Sequence, residues 1–295
     1  MLLNMKLKNA HEWSDKIATV TFTVLGYLNI VFVAVICLYL LISGIPAIYK
    51  IGFVDFIFGT QWASTAAEPK FGIMPFILTS IYGTIGAIAL GLPIGFFCSV
   101  YLAKFAPVKI KKFVESTVDL LAGIPSVVFG FIGMLVLVPG IKEVFGLPDG
   151  SSLLAAILVL SVMILPSIIK VSIGAVEAVP HDYELGSLAL GANKVETVYK
   201  VVVPAARRGI GVSVVLGVGR AIGEAMAVMM VAGNVANMPG LFASVRFLTT
   251  AVASEMSYSA GLQREALFSI ALVLFVFIMV INALLNLALK KKDSK

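Results

Sequence analysis

Arg220 and Glu224 stand four residues apart in the stretch GRAIGEAMAVMMVAGN (219–234), which is otherwise apolar or small. On a continuous helix this spacing puts both side chains on one face, where they can pair. A guanidinium is a planar fork of N–H donors that fits an oxyanion through two hydrogen bonds at once. One reading therefore has Arg220 supplying positive potential and donors to an oxyanion, while Glu224 orients it and prevents the anion from being trapped. The other reading is a purely architectural ion pair. Gly219 and Gly223 form a G-x-x-x-G step beside that face, which would let another helix approach closely. Asp119 is the other acidic residue that could approach Arg220, with a capping or interface position as its alternative. Glu115 is expected to be a solvated partner of Lys111 or Lys112, and Met226, Met229 and Met230 read as adaptable packing residues.

These charges need an unusual setting, because the 295-residue chain is 60% hydrophobic and only 13% charged, with a mean hydropathy of +1.03. Such values lie outside the range of soluble domains and indicate an all-α polytopic membrane protein. About 20 apolar residues are needed to cross the hydrocarbon core as a helix. Six runs qualify, at 22–46, 73–103, 113–138, 152–175, 208–233 and 266–289, and Pro93, Pro125 and Pro166 inside them suggest kinks or breaks. A charge at the centre of such a helix costs about 2.5–3.5 kcal/mol, so Arg220 and Glu224 should face protein or water rather than lipid. The first run, long and without a small-residue cleavage signature, reads as a retained helix. Cys37 and Cys98 both fall within spans and read as packing residues rather than a disulfide.

Basic residues set sidedness, because loops rich in Lys and Arg stay in the cytoplasm. The N-terminus, KFAPVKIKK (104–112), the segment from Lys170 to Arg208 and the tail after residue 289 together hold 16 of them, against five in the alternate segments. Both termini are then cytoplasmic. The net charge of +6 reflects this asymmetry and contact with membrane lipid; without aromatic interleaving it points to no nucleic acid.

The longest cytoplasmic segment, EAVPHDYELGSLALGANKVETVYKVVVPAARRG (177–209), reads as two short helices. Pro180 and Asp182 mark the first start, and Gly191 can end that helix in a left-handed conformation. Residues 193–202 give a second helix, closed by Pro204. Leu188, Ala189, Leu190 and Ala192 near the tip would present a small apolar knob suited to a groove on another protein, with an ordinary amphipathic connector as the alternative. The spacing from Gly191 through Val201 and Val203 to Pro204 resembles the cytoplasmic EAA loop of ABC importer permeases. The triplet itself is replaced by Leu185, Gly186 and Ser187, with Glu184 one residue early, which puts the salt bridge of the family's glutamate in doubt.

A wider resemblance narrows the family. LLAGIPSVVFGFIG (120–133), ILPSIIKVSIGAVEAVP (164–180), SLALGA (187–192) and GRAIGEAMAVMMVAGN are similar to permeases of the phosphate-specific uptake system, over roughly residues 72–289. GEAMAVMMVAGN with SVRFLTTAVASEM resembles the PstC type of subunit more than the PstA type. Sulfate and molybdate permeases are the nearest competitors, carrying a similar G-E-x-x-A-V stretch but no close equivalent of LAGIPSVVFGF.

The resemblance implies six transmembrane helices in the type I ABC importer permease fold. It divides the chain into an N-terminal tail, first helix and extracytoplasmic segment (1–71), a permease domain (72–289) with its coupling loop (177–207), and a basic cytoplasmic tail (290–295). Glu184, Gly186, Ser187, Leu188, Ala189, Leu190, Gly191, Ala192 and Pro204 would form the coupling elbow that docks on the ATPase. Arg220, Glu224 and Asp119 would line the substrate pathway. The implied partners are a second permease of the PstA type, an ATPase dimer of the PstB type and an extracytoplasmic phosphate-binding protein of the PstS type.

That binding protein would dock on segments 47–71 and 235–264, the latter with a short helix lying at the membrane surface. The sequence has no G-x-x-x-x-G-K-[ST], so no cofactor is expected on this chain and ATP is used by the partner ATPase. No catalytic or metal-ligating set is apparent, and the lack of H-E-x-x-H or a nucleophile–base pair disfavours an intramembrane enzyme. A passive anion channel would leave the elbow without a purpose. His11 and His181 lie outside the spans and read as surface residues.

Overall fold

The computed structural model describes the backbone of residues 2–291 and the side chains of residues 15–289. His11 and the basic tail 290–295 therefore lie outside the residues whose side chains are described. The chain folds into helices α1 (Leu2–Ile51) and α2 (Phe53–Phe58), a minimal antiparallel hairpin of β1 (Trp62–Ala63) and β2 (Lys70–Phe71), then α3 (Met74–Lys104) and α4 (Val108–Gly123). Next come α5 (Ser126–Ile132), a π-helical turn (Gly133–Leu137), α6 (Val138–Phe145), α7 (Leu153–Glu177), α8 (His181–Ala189) and α9 (Lys194–Thr197). A second π-helical turn (Val198–Val202) leads into α10 (Val203–Gly223), followed by α11 (Met226–Val231), α12 (Leu248–Glu255) and α13 (Gly261–Lys291). Six stretches are long and apolar enough to cross a membrane: Asp15–Ile51, Met74–Lys104, Ser126–Phe145, Leu153–Glu177, Lys194–Gly223 and Gly261–Leu289.

Helix α7 is apolar all round, and it is accordingly the central post: Leu153, Ile157, Leu160, Met163, Ile164, Ile168 and Ile173 are all buried. Its neighbour α3 approaches closely because glycines line the shared seam. A Cβ on Gly86 would lie 2.6 Å from Ile157, one on Gly91 2.8 Å from Ile164 and one on Gly95 2.8 Å from Ile168. Without a hydrophobic drive between helices in lipid, such small-residue seams let van der Waals contact hold the bundle. The glycines of this seam are Gly86, Gly91 and Gly95. Gly219 and Gly223, the step read from sequence, meet nothing within 4 Å. From Asp15 on, helix α1 stands at the periphery with most of its surface exposed, held to α13 where Tyr39 meets Phe268 edge-on at 5.5 Å.

Three sequence expectations are corrected by the backbone. The third span is not 113–138. Proline disfavours helical geometry in the residue before it, and at Pro125 that preference prevails: Ile124 is extended (φ −70°, ψ 128°) and ends α4, and the membrane-length stretch starts at Ser126. Pro93 and Pro166, by contrast, lie inside α3 and α7 without ending either. The fifth span is not a continuous 208–233, because Glu224 is extended (φ −73°, ψ 129°) and separates α10 from α11. Pro204 does not close the second elbow helix. The π turn at Val198–Val202, in which the Val203 N–H bonds to the Val198 carbonyl, absorbs the register change and carries the helix into α10.

Candidate functional site

Two loci bear on function, and the first is the elbow. Helix α8 starts after Pro180 and ends in a Schellman arrangement: the Gly191 N–H bonds to the Leu188 carbonyl at 3.0 Å and the Ala192 N–H to the Ser187 carbonyl at 3.3 Å. Gly191 has φ +88°, the left-handed conformation expected of it. Asn193 then opens α9 with a capping box closed by Glu196. The turn is tied across its neck by Ser187 Oγ and Thr197 Oγ1 at 2.9 Å. Leu188, Ala189, Leu190 and Gly191 at the tip are exposed, Leu190 by 90%, and Ala192 is half-buried. Gly186 and Pro204 are exposed on the elbow's flanks, and His181 lies on the surface as expected.

The elbow does not hang free of the bundle. Glu184 pairs with Lys104 at the end of α3, both side chains less than one fifth exposed. Lys111 of α4 pairs with Glu177, whose hydrogen bond holds the lysine above its ordinary pKa. The Lys194 ammonium lies 5.3 Å from the centre of the Phe105 ring. Glu184, one residue early by its family spacing, therefore has a partner inside the chain. Sequence reasoning counted Lys104 only toward sidedness and offered Lys111, or Lys112, to Glu115, whereas Lys111 pairs with Glu177. Their role depends on which helices meet, which no local spacing reveals.

The second locus is the break between α10 and α11. The Glu224 carboxylate accepts the Ala227 N–H at 3.1 Å and so caps α11, while its carbonyl accepts Thr249 Oγ1 at 2.7 Å. Because Glu224 has left the helix, the shared face with Arg220 does not exist, and no pair between them forms. Among the described residues, nothing bonds the half-buried Arg220 guanidinium, and Gly219, Gly223 and Met226 beside it are open or half-open. Asp119 does not join this locus either: near the C-terminal end of α4, its carboxylate is paired with Lys170 of α7. The break is braced from behind by α5. A Cβ on Gly130 would come within 2.7 Å of the Ala227 backbone, so the two short helices touch backbone to backbone.

At the far end of α7 from the elbow, about 37 Å away at 1.5 Å per residue, segments 47–71 and 235–264 come together. Glu255 of α12 accepts Trp62 Nε1 at 3.3 Å and Gln263 Nε2 at 3.1 Å, and pairs with Arg246. Arg246 Nε also donates to the Asn234 carbonyl at 2.8 Å. The hairpin and the Asn234–Ala236 loop border an open depression of about 490 Å³ over this cluster. The short helix expected at the membrane surface exists as α12. Its residues Leu248–Ala251 are buried, however, and Ser80 of α3 accepts the Leu248 N–H, so it is wedged into the bundle rather than laid on lipid.

The arrangement is an exposed apolar knob at one end, an open polar mouth at the other, and a cation beside a broken helix between them. Solved structures share the architecture. The chain is similar in fold to an inward-facing MetNI methionine ABC transporter chain (TM-score 0.55, 19% identity, 75% of this chain and 94% of that one). It is likewise similar to a chain of a bacterial ABC transporter that imports alginate (TM-score 0.53, 15% identity, 82% and 92%). In sequence it is 40% identical to a probable ABC transporter permease protein, YqgH, of Bacillus subtilis, over 78% of this chain and 77% of that one. It is 32% identical to the phosphate transport system permease protein PstC of Haemophilus influenzae, over 95% and 94%. Residues 91–293 match one family throughout, and the chain, a multi-pass membrane subunit of the type I ABC importer permease fold, belongs to the binding-protein-dependent transport system inner membrane components.

Proposed function

We propose that the chain is the PstC-type permease of an ATP-driven phosphate importer, forming half of the translocation pathway. Support for phosphate comes from relatives such as the Haemophilus influenzae and Pasteurella multocida PstC permeases, 32% and 31% identical. The observation that carries the importer reading is the elbow: a rigidly capped, exposed apolar tip, fixed to α3 by a shielded ion pair and continuous with the helix that carries Arg220. A passive channel has no use for such a part. The tip would seat in the ATPase, PstB type, which binds and hydrolyses ATP. A PstA-type permease would cover the open face at Gly219 and Gly223, and a PstS-type binding protein would deliver phosphate to the mouth at Trp62 and Glu255. Both termini are then cytoplasmic. Arg220 is the substrate-facing cation, and Glu224 shapes its surroundings by holding the end of α11.

Uptake by the reconstituted complex, with phosphate, sulfate and molybdate in competition, tests this reading. Phosphate alone should compete, Arg220→Gln should abolish uptake with the complex still assembled, and Ala192→Asp should sever ATPase stimulation. Normal uptake by Arg220→Gln, or equal competition by sulfate, would refute the assignment.

A further inference from the structure

Lys170 and Asp119 form an ion pair that transport as described so far does not use. Lys170 belongs to the membrane-length stretch Leu153–Glu177, about 10 Å from its elbow end. Asp119 stands across from it on α4, and both side chains are half exposed, at 51% and 53%. An ionised pair this far into a span faces water or protein, since hydrocarbon would strip both charges of solvation. A lysine alone could stretch to the headgroups, but Asp119, with a single methylene, holds the ammonium where it is. The surfaces of α1, α3 and α13 make the contrast: residues 17–49, 74–103 and 266–289 include no charged side chain.

The pair shares its face with Arg220. Helix α7 packs on α4 through Ile169 and Ile173 beside Val118, and on α10 through Ile168 against Gly217. Between these neighbours it leaves Lys170, Gly174 and Glu177 open. Ala175 meets Gly209 there, and from Gly209 the exposed Val212 and Leu216 and the half-buried Arg220 follow along one side of α10. The two helices run antiparallel, with Ser172 Oγ and Ser213 Oγ 2.9 Å apart. In that register Lys170 lies on the elbow side of Arg220, offset by about 7 Å along the bundle.

Stepwise transit needs more than one cation. A single site tight enough to capture an anion holds it too long, whereas a second site nearby lets it move on. Asp119 sets the terms at the second. Its carboxylate occupies Lys170, and a tetrahedral oxyanion, with more charge and more acceptor oxygens, can take its place. When the anion leaves, the carboxylate returns, so the ammonium keeps a partner throughout. We propose that Lys170 is a second station for the transported oxyanion, on the elbow side of Arg220, and that Asp119 is the tethered counter-ion displaced on its arrival. This rests on the importer reading above and adds to it a step that Arg220 does not supply.

The test is phosphate uptake by the assembled complex in proteoliposomes, in a Cys37→Ala/Cys98→Ala parent. Lys170→Cys should lower uptake about ten-fold or more, as loss of one hydrogen bond between charged groups implies. Aminoethyl methanethiosulfonate, which rebuilds an ammonium on the new thiol, should restore most of it, and the sulfonatoethyl reagent should not, with the treated parent as reference. Lys170→Met/Asp119→Leu removes both charges and refills the space with apolar groups; it should assemble and still fail to transport. The proposal is overturned if that double variant takes up phosphate normally, or if both reagents restore Lys170→Cys alike. It is equally overturned if the new thiol is closed to both reagents in the assembled complex. Import of sulfate in place of phosphate by the parent would refute the function proposed above; the dependence on Lys170 would then be read on sulfate, and stand or fall by itself.

Discussion

The ion pair between Lys104 and Glu184 gives the sharpest test of how the elbow is held. Reversing one charge leaves two like charges facing each other in a position where the side chains are 14% and 18% exposed. Surface pairs contribute about 0–1 kcal/mol, and breaking a fully buried pair costs about 3–5 kcal/mol. The partial shielding here places the loss near 2 kcal/mol, a roughly thirty-fold rise in the population with α8 detached from α3. In proteoliposomes holding the whole complex, Lys104→Glu and Glu184→Lys should each lower the anion moved per ATP hydrolysed. The double exchange Lys104→Glu/Glu184→Lys should regain most of it, because the reversed pair occupies the same space. The more exposed Lys111–Glu177 pair, at 27% and 42%, is the internal control, and its reversal should change the ratio little. A double exchange no better than the worse single variant would refute the reasoning, since Glu184 would then be answering to the ATPase rather than to Lys104.

Gly86→Ala should destabilise the α3–α7 seam by about 1–3 kcal/mol, because the three atoms nearest the added methyl, at 2.6–3.2 Å, all belong to Ile157; against an Ile157→Ala background it should cost much less, as read by thermal unfolding in detergent. At the break, Glu224→Ala removes the α11 cap at a cost of about 0.5–2 kcal/mol and should speed hydrogen exchange at residues 226–231. Glu224→Gln, which keeps an acceptor oxygen, should leave that exchange unchanged, and acceleration by Gln would contradict the capping role. Lys111 is held above its ordinary pKa, so its pairing with Glu177 is complete below that value and lost only as pH rises through the raised one. The effect of Lys111→Met on melting temperature should therefore be flat between about pH 7 and pH 9.

What the sequence disclosed was whatever local chemistry decides. The turn at Gly191, the exposed Leu188–Gly191 tip and the membrane character of six stretches follow from glycine's conformational freedom, amphipathic spacing and apolar run length, and the structure has them all. The breaks at Ile124–Pro125 and Glu224–Ala225 escaped because the apolar runs continue across both, and run length reports transfer into lipid rather than backbone angles. Pro125 was a visible signal for the first, yet Pro93 and Pro166 gave the same signal without a break. For the second, a glutamate in an apolar run followed three residues later by a free N–H is a capping pattern, legible once the helix is allowed to stop. The partners of Asp119, Glu184 and Lys111 are 51, 80 and 66 residues distant in sequence, and only the assembled bundle brings them together.

The interruption at Glu224 also explains how two opposite charges can live at membrane depth without touching. Arg220 falls in the last turn of α10, where aligned peptide dipoles leave partial negative charge on the carbonyls, and Glu224 sits at the start of α11, where they leave partial positive charge on the amides. Each ion is thus balanced by the end of its own helix segment. The arginine's field is softened but not quenched, which, on the proposed reading of Arg220 as the substrate-facing cation, would let it attract a passing anion and release it.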